Sequence, residues 1–405
     1  MRRIVLVPIL LASAALVAAQ NGVSPRIERV QKAIEDYMAQ NKVTGANIAI
    51  ASKGQLVFRQ GFGMADVEND VPVKSNTIFR LGSVSKIITA VAVMQLVEQG
   101  KIDLDSDIRK YVPEFPEKEY VVTVRHILTH TSGVRHYKAL EVENTQQFNT
   151  VAASFSRFVN DPLLHKPGEK STYSTYAFNL LARAVETASG MSFPDYLQEY
   201  VFRVAEMTDT GMEDLRGIVK SRVRGYERLA DGRLVNANFA NISYKWAGGG
   251  MVSTSVDLCR LGLALMSGRL MKPETLRQMW TPQRLANGEL LAQSLGWQTA
   301  FFNDAPVVMH GGAQQGTRSV FLIHPNDEFI VSVLTNYENH NPRQLGAAIR
   351  DAWYSSPPKP IGRAGIQALK GSLATLVPAG GPSKPGRSLS PAGRPISGKP
   401  SPHRP

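Results

Sequence analysis

Cysteine is almost absent from this sequence of 405 residues, which contains only Cys259. A single cysteine excludes a disulfide within the chain and a metal site built from several thiolates. Cys259 lies in the apolar segment 256–263, a setting typical of a buried structural thiol rather than a nucleophile. No group of His, Asp or Glu has the spacing of a zinc or calcium site, so neither a metal nor another cofactor is expected.

Acidic residues are missing from the C-terminal end, and this explains part of the basic charge. Residues 371–405 contain no Asp or Glu, five Lys or Arg, and eight of the 24 prolines. This segment cannot bury a core and is predicted to be disordered, suited at most to weak contact with polyanions of a cell envelope. Removing its +5 and the +2 of Arg2 and Arg3 from the net +12 leaves +5 for residues 4–370, which does not indicate a nucleic-acid partner.

The N-terminal residues have the pattern of a secretory signal peptide. A short positive start, Met1-Arg2-Arg3, precedes an apolar run over 4–17 and the small residues Ala18 and Ala19. The run is too short to span a bilayer comfortably, and cleavage after Ala19 is predicted, so a secreted or periplasmic location is expected. The alternative is an N-terminal anchor that stays attached.

No linker rich in Pro, Gly or Ser, and no internal repeat, interrupts residues 24–360, which we therefore treat as one domain. Two hairpins are predicted, one from 47–52 and 55–59 and one from 319–323 and 329–334, with a further strand at 307–310. Residues 24–40 and 342–353 are predicted to be helices. The pattern predicts an α+β fold: an antiparallel sheet from about 24–80 and 245–360, covered by the terminal helices, with a helical part at about 81–244 inserted between its strands. The cleft between the two parts is the expected site.

The segment Ser83-Val84-Ser85-Lys86 carries the clearest chemical signal. Three residues apart on a helix, Ser83 and Lys86 share a face, and a neutral lysine can take the proton of the serine hydroxyl and make it a nucleophile. The apolar run that follows ends at Gly100, which predicts a buried central helix. The alternative is a serine N-cap followed by a first-turn lysine. A second match, Ser356 to Lys359, contains two prolines that forbid the helical turn.

With this motif in place, the chain resembles the penicillin-recognising serine hydrolases, which include class C β-lactamases, D,D-carboxypeptidases, related esterases and the LACTB-type β-lactamase-like proteins. The resemblance covers about residues 25–355. The matching stretches are Phe79–Lys86, Ile127–Gly133, Pro167–Glu169 and Gly248–Met251, and Tyr111–Glu119 and Ser132–Tyr137 match the LACTB-type group more closely. The resemblance implies the β-lactamase/transpeptidase-like fold, with catalysis by Ser83 and Lys86.

A second element of that family is a tyrosine two residues before an asparagine. Tyr173 fits, and Thr175 stands in the asparagine position, so the resemblance implies a substrate-binding role for Thr175. The resemblance implies that Tyr173 relays the serine's proton, which a nearby lysine favours by lowering the proton affinity of the phenol. The alternative is a surface-loop tyrosine. Tyr337-Glu338-Asn339 has the family spelling but follows the last predicted strand, so its position in the chain marks a chance match.

The third element is a lysine or histidine followed by a glycine pair on a strand that lines the cleft. His310, Gly311 and Gly312 fit this pattern, and the glycines are expected to let a substrate approach the backbone closely. By analogy with the family, the N–H groups of Ala313 and Ser83 would form the oxyanion hole. The alternative for His310 is a structural histidine at a strand end. The other histidines considered, His130, His136, His324 and His340, are expected to be structural or solvent-facing.

The predicted function is a secreted serine hydrolase that forms an acyl-enzyme on a peptide, amide or ester, with a small molecule or peptide as its partner. Thr175 has a shorter reach than asparagine, and His310 is mostly neutral near pH 7, so both weaken the case for efficient β-lactam hydrolysis. Arg318 is a candidate to bind a substrate carboxylate instead. A true β-lactamase or D,D-carboxypeptidase remains an alternative, as does a slowly deacylating penicillin-binding protein or a non-enzymatic scaffold. The sequence does not indicate an oligomeric state.

Overall fold

The computed structural model describes residues 24–302 and 305–354. The helices are α1 (Pro25–Asn41), α2 (Ser85–Glu98), α3 (Val124–Leu128), α4 (Tyr176–Ser189), α5 (Phe193–Leu197), α6 (Arg203–Ala205), α7 (Trp246–Gly249), α8 (Ser255–Met266), α9 (Pro273–Trp280) and α10 (Pro342–Tyr354). The strands are β1 (Gly45–Ser52), β2 (Gln55–Asp66), β3 (Val71–Pro72), β4 (Phe79–Arg80), β5 (Gly211–Met212), β6 (Tyr226–Arg228), β7 (Leu234–Asn236), β8 (Met251–Ser253), β9 (Gln298–Phe302), β10 (Ala305–Gln314), β11 (Thr317–His324) and β12 (Phe329–Thr335).

A seven-stranded antiparallel sheet joins the beginning and the end of the described chain. Its strand order is β3-β2-β1-β12-β11-β10-β9, so the early hairpin pairs with the last strand through β1 and β12. The predicted α+β fold with this sheet and its covering helices is confirmed, and both predicted hairpins are present with longer strands than expected. The predictions for residues 1–19 and 371–405 lie outside the described residues.

The two faces of the sheet pack against different layers. Along β1, Ile48 and Ile50 pack with Val30 and Ile34 of α1 and with Leu345 of α10. The alternating residues Ala49 and Ala51 face the other way, into the core formed with the inserted part. This alternation follows from the two-residue period of a strand. The small alanines let α8 approach the sheet, since α8 contributes Leu258 and Leu261 to the same core.

The inserted part is less uniformly helical than the sequence predicted. Besides α2 to α6 it contains the strand pair β6-β7 and the short strand β5, which pairs with β8. These strands have only two or three residues, too few for a periodic pattern to be recognised in the sequence. Within the described residues, no helix combines the length and the apolar character needed to cross a membrane.

Helix α2 is the centre of the molecule. Every residue from Ser85 to Leu96 is buried, as the apolar run predicted. After the helix ends, Gly100 adopts φ +69°, the left-handed conformation expected of a glycine stop. The helix is therefore surrounded by the core along most of its length. The turn Gly82–Val84, which precedes it, lies against strand β10.

Candidate active site

Ser83 lies in a 3-10 turn, Gly82–Val84, that runs directly into α2. Gly82 makes this turn with φ +52°, and a Cβ at that position would lie 2.9 Å from the backbone nitrogen of Ala313. Both the left-handed backbone and the close approach require glycine. The N-cap residue of α2 is Val84 and no side chain caps the helix there, so Ser83 does not serve as its N-cap. The turn therefore sets Ser83 beside strand β10, where Ala313 lies.

The Ser83 hydroxyl is held between two functional groups. Its Oγ atom lies 3.3 Å from Nζ of Lys86, and the Tyr173 hydroxyl donates a hydrogen bond of 2.6 Å to the same oxygen. The structure therefore brings together the three residues that sequence analysis predicted from positions 83, 86 and 173. Lys86 comes from the first turn of α2, whereas Tyr173 comes from the loop before α4.

Lys86 is fully buried, and its amine has two further partners. Nζ donates to Oγ1 of Thr175 at 3.0 Å and to the carbonyl oxygen of Gly248 at 2.6 Å. Burial lowers the pKa of Lys86 well below its usual value, and the positive charge of Lys245 lowers it further. A neutral amine has two N–H bonds and one lone pair. With both N–H bonds used, the lone pair is left for the Ser83 hydroxyl proton, which is the arrangement a general base requires.

Tyr173 has the opposite shift from the one expected. Burial raises the pKa of Tyr173 to about 12, and the hydrogen bonds with Ser83 and Thr175 lower it only in part. The sequence-based expectation of a lowered proton affinity was wrong, because the burial of the phenol outweighs its hydrogen bonds. Lys86 is held neutral and does not stabilise a phenolate. Tyr173 is therefore a proton donor in the resting site.

Thr175 is buried behind Lys86 and does not lie at the surface of the cleft. It is 2% exposed, and its hydroxyl accepts the hydrogen bond from Lys86. Its backbone N–H donates to Nδ1 of His136 at 3.2 Å. Thr175 was predicted to bind the substrate, but its hydroxyl oxygen already accepts the hydrogen bond from the Lys86 amine. Its position suits it to orient Lys86.

Strand β10 carries the predicted segment from His310 to Ala313. His310 is 2% exposed, and burial lowers the pKa of its imidazole to about 3, so the ring is neutral. Nδ1 lies 2.7 Å from the carbonyl oxygen of Gly311, a separation that identifies Nδ1 as the protonated nitrogen. Ala313 is exposed in the cleft beside Gly82 and Ser83, as an oxyanion-hole residue would be.

The two glycines of this segment serve the packing of the protein itself. A Cβ on Gly312 would lie 2.2 Å from the carbonyl oxygen of Leu81 and 2.2 Å from Oγ of Ser319, and one on Gly311 would lie 3.1 Å from Nε of Arg343. The expectation that they make room for substrate is therefore not what their surroundings indicate. Gly312 lets β10 approach the turn that holds Ser83, and Gly311 leaves room for the Arg343 side chain.

The Gly312→Ala variant should lower stability because the new methyl group has no room. We expect the free energy of unfolding to fall by about 1–3 kcal/mol, the usual cost of overpacking, with a parallel loss of activity as β10 moves from the turn. Gly211→Ala is the matched control, since a Cβ at Gly211 would meet no atom within 4 Å. Urea unfolding of both variants tests this, and equal midpoints would contradict the packing argument.

Arg318 is not available to bind a substrate carboxylate. Nη1 donates to the carbonyl oxygens of Gln314 and Thr317, at 3.0 and 2.8 Å, and Nη2 lies 3.6 Å from Oε2 of Glu338. The guanidinium is compensated by this carboxylate and by backbone acceptors. The candidate role of Arg318 is thus not supported by its surroundings.

Two histidines that the sequence analysis set aside lie against Tyr173. The ring centroid of His130 is 4.3 Å from that of Tyr173, and His136 meets the same ring edge-on at 5.4 Å. Nδ1 of His130 accepts the backbone N–H of Ser174 at 3.2 Å. These contacts fix the loop that carries Tyr173. The signal was present in the family-like stretches 127–133 and 132–137, which contain both residues.

The remaining candidates are separate from this site. Cys259 is buried in α8, and burial raises the pKa of its thiol, consistent with a structural residue. Tyr337 follows β12 and is buried in the core between the sheet and the helices α1 and α10. The Ser356 to Lys359 match lies outside the described residues. Among residues 24–302 and 305–354, no cluster of three or more His, Cys, Asp or Glu side chains is arranged to hold a metal ion.

The antiparallel sheet, the inserted helical part and the Ser83–Lys86–Tyr173 group at their junction define the class of β-lactamase and penicillin-binding folds. The chain belongs to the Beta-lactamase family, whose sequence profile matches residues 30–352. The human serine beta-lactamase-like protein LACTB, mitochondrial, is 34% identical, and the match covers 59% of this chain and 59% of the relative. The chain thus spans about three fifths of the length of that curated relative. Penicillin-binding protein 4* of Bacillus subtilis is 26% identical, and the match covers 77% of this chain and 72% of the relative.

Solved structures share the fold. The D-amino acid amidase of Ochrobactrum anthropi SV3, complexed with D-phenylalanine, superposes with a TM-score of 0.72 at 21% identity, covering 82% of this chain and 99% of the amidase. The octameric penicillin-binding protein homologue from Pyrococcus abyssi gives a TM-score of 0.70 at 24% identity, covering 82% and 78%. These neighbours support the fold class predicted from the sequence.

Proposed function

We propose that this protein is a serine hydrolase that forms an acyl-enzyme on Ser83 with an amide, peptide or ester substrate. The observation that carries the proposal is the environment of Lys86, whose two N–H bonds are taken by Thr175 and Gly248 while its lone pair is left for Ser83. A buried neutral amine in hydrogen-bond reach of a serine hydroxyl has no evident structural purpose, because its burial costs free energy. It is what activation of a nucleophile needs.

In the proposed acylation step, Ser83 Oγ attacks the substrate carbonyl carbon as its proton passes to Nζ of Lys86. The negative charge that develops on the carbonyl oxygen is stabilised by the backbone N–H groups of Ser83 and Ala313. Tyr173 then gives its phenolic proton to the leaving nitrogen or oxygen and regains a proton from the Lys86 ammonium. The bond to the leaving group breaks, and Ser83 carries the acyl group.

Deacylation reverses these proton transfers, with water in place of the leaving group. Water loses a proton through Tyr173 and Lys86 and attacks the ester, and Ser83 regains its hydroxyl proton. The neutral His310 offers no permanent charge for a substrate carboxylate, and Thr175 is engaged with Lys86. Both features support an amidase, peptidase or esterase before a true β-lactamase.

The test is steady-state hydrolysis of a panel that contains 4-nitrophenyl esters, D-Ala-D-Ala peptides and β-lactams, by the wild type and by Ser83→Ala. We expect turnover of at least one class and its loss in the variant. Intact-protein mass spectrometry with benzylpenicillin separates the alternatives. A transient adduct would identify a β-lactam hydrolase, and a persistent one a slowly deacylating penicillin-binding protein. Turnover that survives Ser83→Ala would refute the proposed nucleophile.

We also propose export from the cytoplasm, supported by the charge and apolar pattern of residues 1–19. Expression of the full chain and sequencing of the mature protein tests this. A mature N-terminus at Gln20 in the secreted or periplasmic fraction is expected, and an unprocessed chain in the cytoplasm would contradict it.

A further inference from the structure

A second lysine lies close to the active site without a part in the proposed acyl transfer. Lys245 ends the 3-10 turn Ile242–Lys245, immediately before helix α7, whose Gly248 carbonyl accepts the hydrogen bond from Lys86. It is 5% exposed. The positive charge of Lys245 lowers the pKa of both Lys86 and His136, which places it within electrostatic range of the catalytic group.

Lys245 has no anionic partner within the described part of the chain. Its Nζ lies over the rings of Tyr137 and Tyr244, 5.7 and 5.2 Å from their centroids, and forms no ion pair or hydrogen bond there. The nearby carboxylate of Glu213 is taken by Arg80 through two hydrogen bonds of 2.8 and 2.9 Å. Nζ of Lys245 keeps some exposure to solvent and has no acceptor in this part of the chain, so an acceptor that arrives from outside can reach it.

The surroundings of Lys245 form an open depression at the end of strand β10. Tyr137 and Val142 line one side, and Ala313 and Gln314 of β10 line another. Gln315, Arg318 and Glu338 complete the lining, and the charges of Arg318 and Glu338 compensate each other at 3.6 Å. Lys245 is therefore the uncompensated charge of this depression, which suits a single anionic group.

The position of the depression along β10 indicates which part of a substrate would lie in it. Tyr173, the proposed donor to the leaving group, has its ring centroid 6.5 Å from that of His310, three residues before Ala313 on β10. The depression contains Ala313 and continues to Gln314, in the opposite direction along the strand. The leaving group thus belongs on the side of Ala313 where His310 lies. The acyl chain belongs on the opposite side, where Lys245 lies.

We propose that Lys245 forms a carboxylate-binding subsite for the acyl part of the substrate, and this inference rests on the proposed hydrolase function. The substrate class is an acyl group with one negative charge, such as a half-ester of a dicarboxylic acid or an acidic residue before the scissile bond. The two tyrosine rings lie beside the Lys245 amine, and the carboxylate replaces the acceptor that the protein does not supply.

The electrostatic state of Lys245 agrees with this role. Burial and the neighbouring Arg80 lower its pKa to about 7, while Glu213 raises it in part. The titratable or charged groups that interact with it are Arg80, Glu213, Lys86 and His136. A bound carboxylate favours the charged form of the amine, so binding and protonation of Lys245 support each other.

The test compares two esters that differ at the end of the acyl chain, 4-nitrophenyl hemiglutarate, which ends in a carboxylate, and 4-nitrophenyl valerate, which ends in a methyl group. We expect the wild type to prefer hemiglutarate, and the ratio of the two kcat/KM values to fall about tenfold to hundredfold in Lys245→Met, the usual effect of losing a hydrogen bond to a charged group. Lys245→Arg should keep most of the preference. A purely structural lysine would change both kcat/KM values in the same proportion and leave the ratio unaltered, which would overturn the inference.

A binding measurement separates failure of the subsite from failure of the proposed function. If the wild type hydrolyses neither ester, the hydrolase proposal fails for this class, and glutarate itself is the probe. At equal ionic strength, glutarate should raise the Tm of the wild type more than that of Lys245→Met, because only the wild type binds it in the folded state. Equal Tm shifts for the two proteins would refute the subsite whatever the esters show.

Discussion

The Lys86→Met variant is expected to lose about 10³-fold in kcat/KM, within the range that general acid–base catalysis contributes. Methionine keeps the length and the apolar stem of the side chain but removes the lone pair that faces Ser83. The measurement is hydrolysis of whichever substrate the wild type turns over fastest. Lys118→Met is the matched control, since Lys118, like Lys86, donates two hydrogen bonds, in its case to the backbone carbonyls of Val159 and Asp161 outside the site. An equal loss in both variants would contradict a special role for Lys86.

The same variant tests whether Lys86 is neutral in the folded protein. Its pKa is lowered on folding, so between the folded value and the unfolded value of about 10.4 the unfolded state binds more protons. The contribution of Lys86 to the free energy of unfolding therefore rises with pH between these two pKa values. The wild type should gain up to about 1.4 kcal/mol of unfolding free energy per pH unit relative to Lys86→Met. Urea unfolding of both proteins at two alkaline pH values measures the difference, and parallel pH dependence would show that Lys86 is charged in the fold.

The Tyr173→Phe variant should lose about 10²- to 10³-fold on amides and alkyl esters, whose leaving groups need a proton. Phenylalanine keeps the ring that contacts His130 and His136 but removes the hydroxyl 2.6 Å from Ser83. The loss should be several-fold smaller on a 4-nitrophenyl ester, because 4-nitrophenolate leaves without protonation. The ratio of the two losses identifies the step at which Tyr173 acts.

A loss of equal size on both kinds of substrate would place Tyr173 in the attack of Ser83 instead of the departure of the leaving group. Tyr200→Phe serves as the control, because Tyr200 is partly exposed at the π-helical turn Gln198–Phe202, away from Ser83. Its kcat/KM values should stay within about twofold of the wild type, as is usual for surface changes.

The sequence predicted those parts of the fold that depend on local pattern. The buried run of α2, its stop at Gly100 and the two hairpins follow from periodicity and glycine position, and all are present. The proximity of Ser83 and Lys86 is also local, since three residues on a helix share a face. Tyr173 is 90 residues from Ser83, and only the family-like surroundings predicted that they would meet.

What the sequence could not provide depends on burial and on contacts between distant segments. The pKa of Tyr173 is raised mainly by its burial. The role of Thr175 is determined by its hydrogen bond with the Lys86 amine. The glycines after His310 were read as space for a substrate, although their neighbours are Leu81, Ser319 and Arg343. Lys245 gave no signal, because its lack of a partner is visible only when the residues around it are known.

Intact-protein and peptide mass spectrometry after treatment with a fluorophosphonate tests the central claim most directly. The reagent reacts with an activated serine and loses fluoride, so one adduct per chain is expected, on the peptide that contains Ser83. The adduct should be absent from Ser83→Ala and retained in Ser85→Ala, which removes a buried hydroxyl two residues away. A wild type that stays unlabelled, or labelling that persists in Ser83→Ala, would contradict the assignment of Ser83 as the nucleophile.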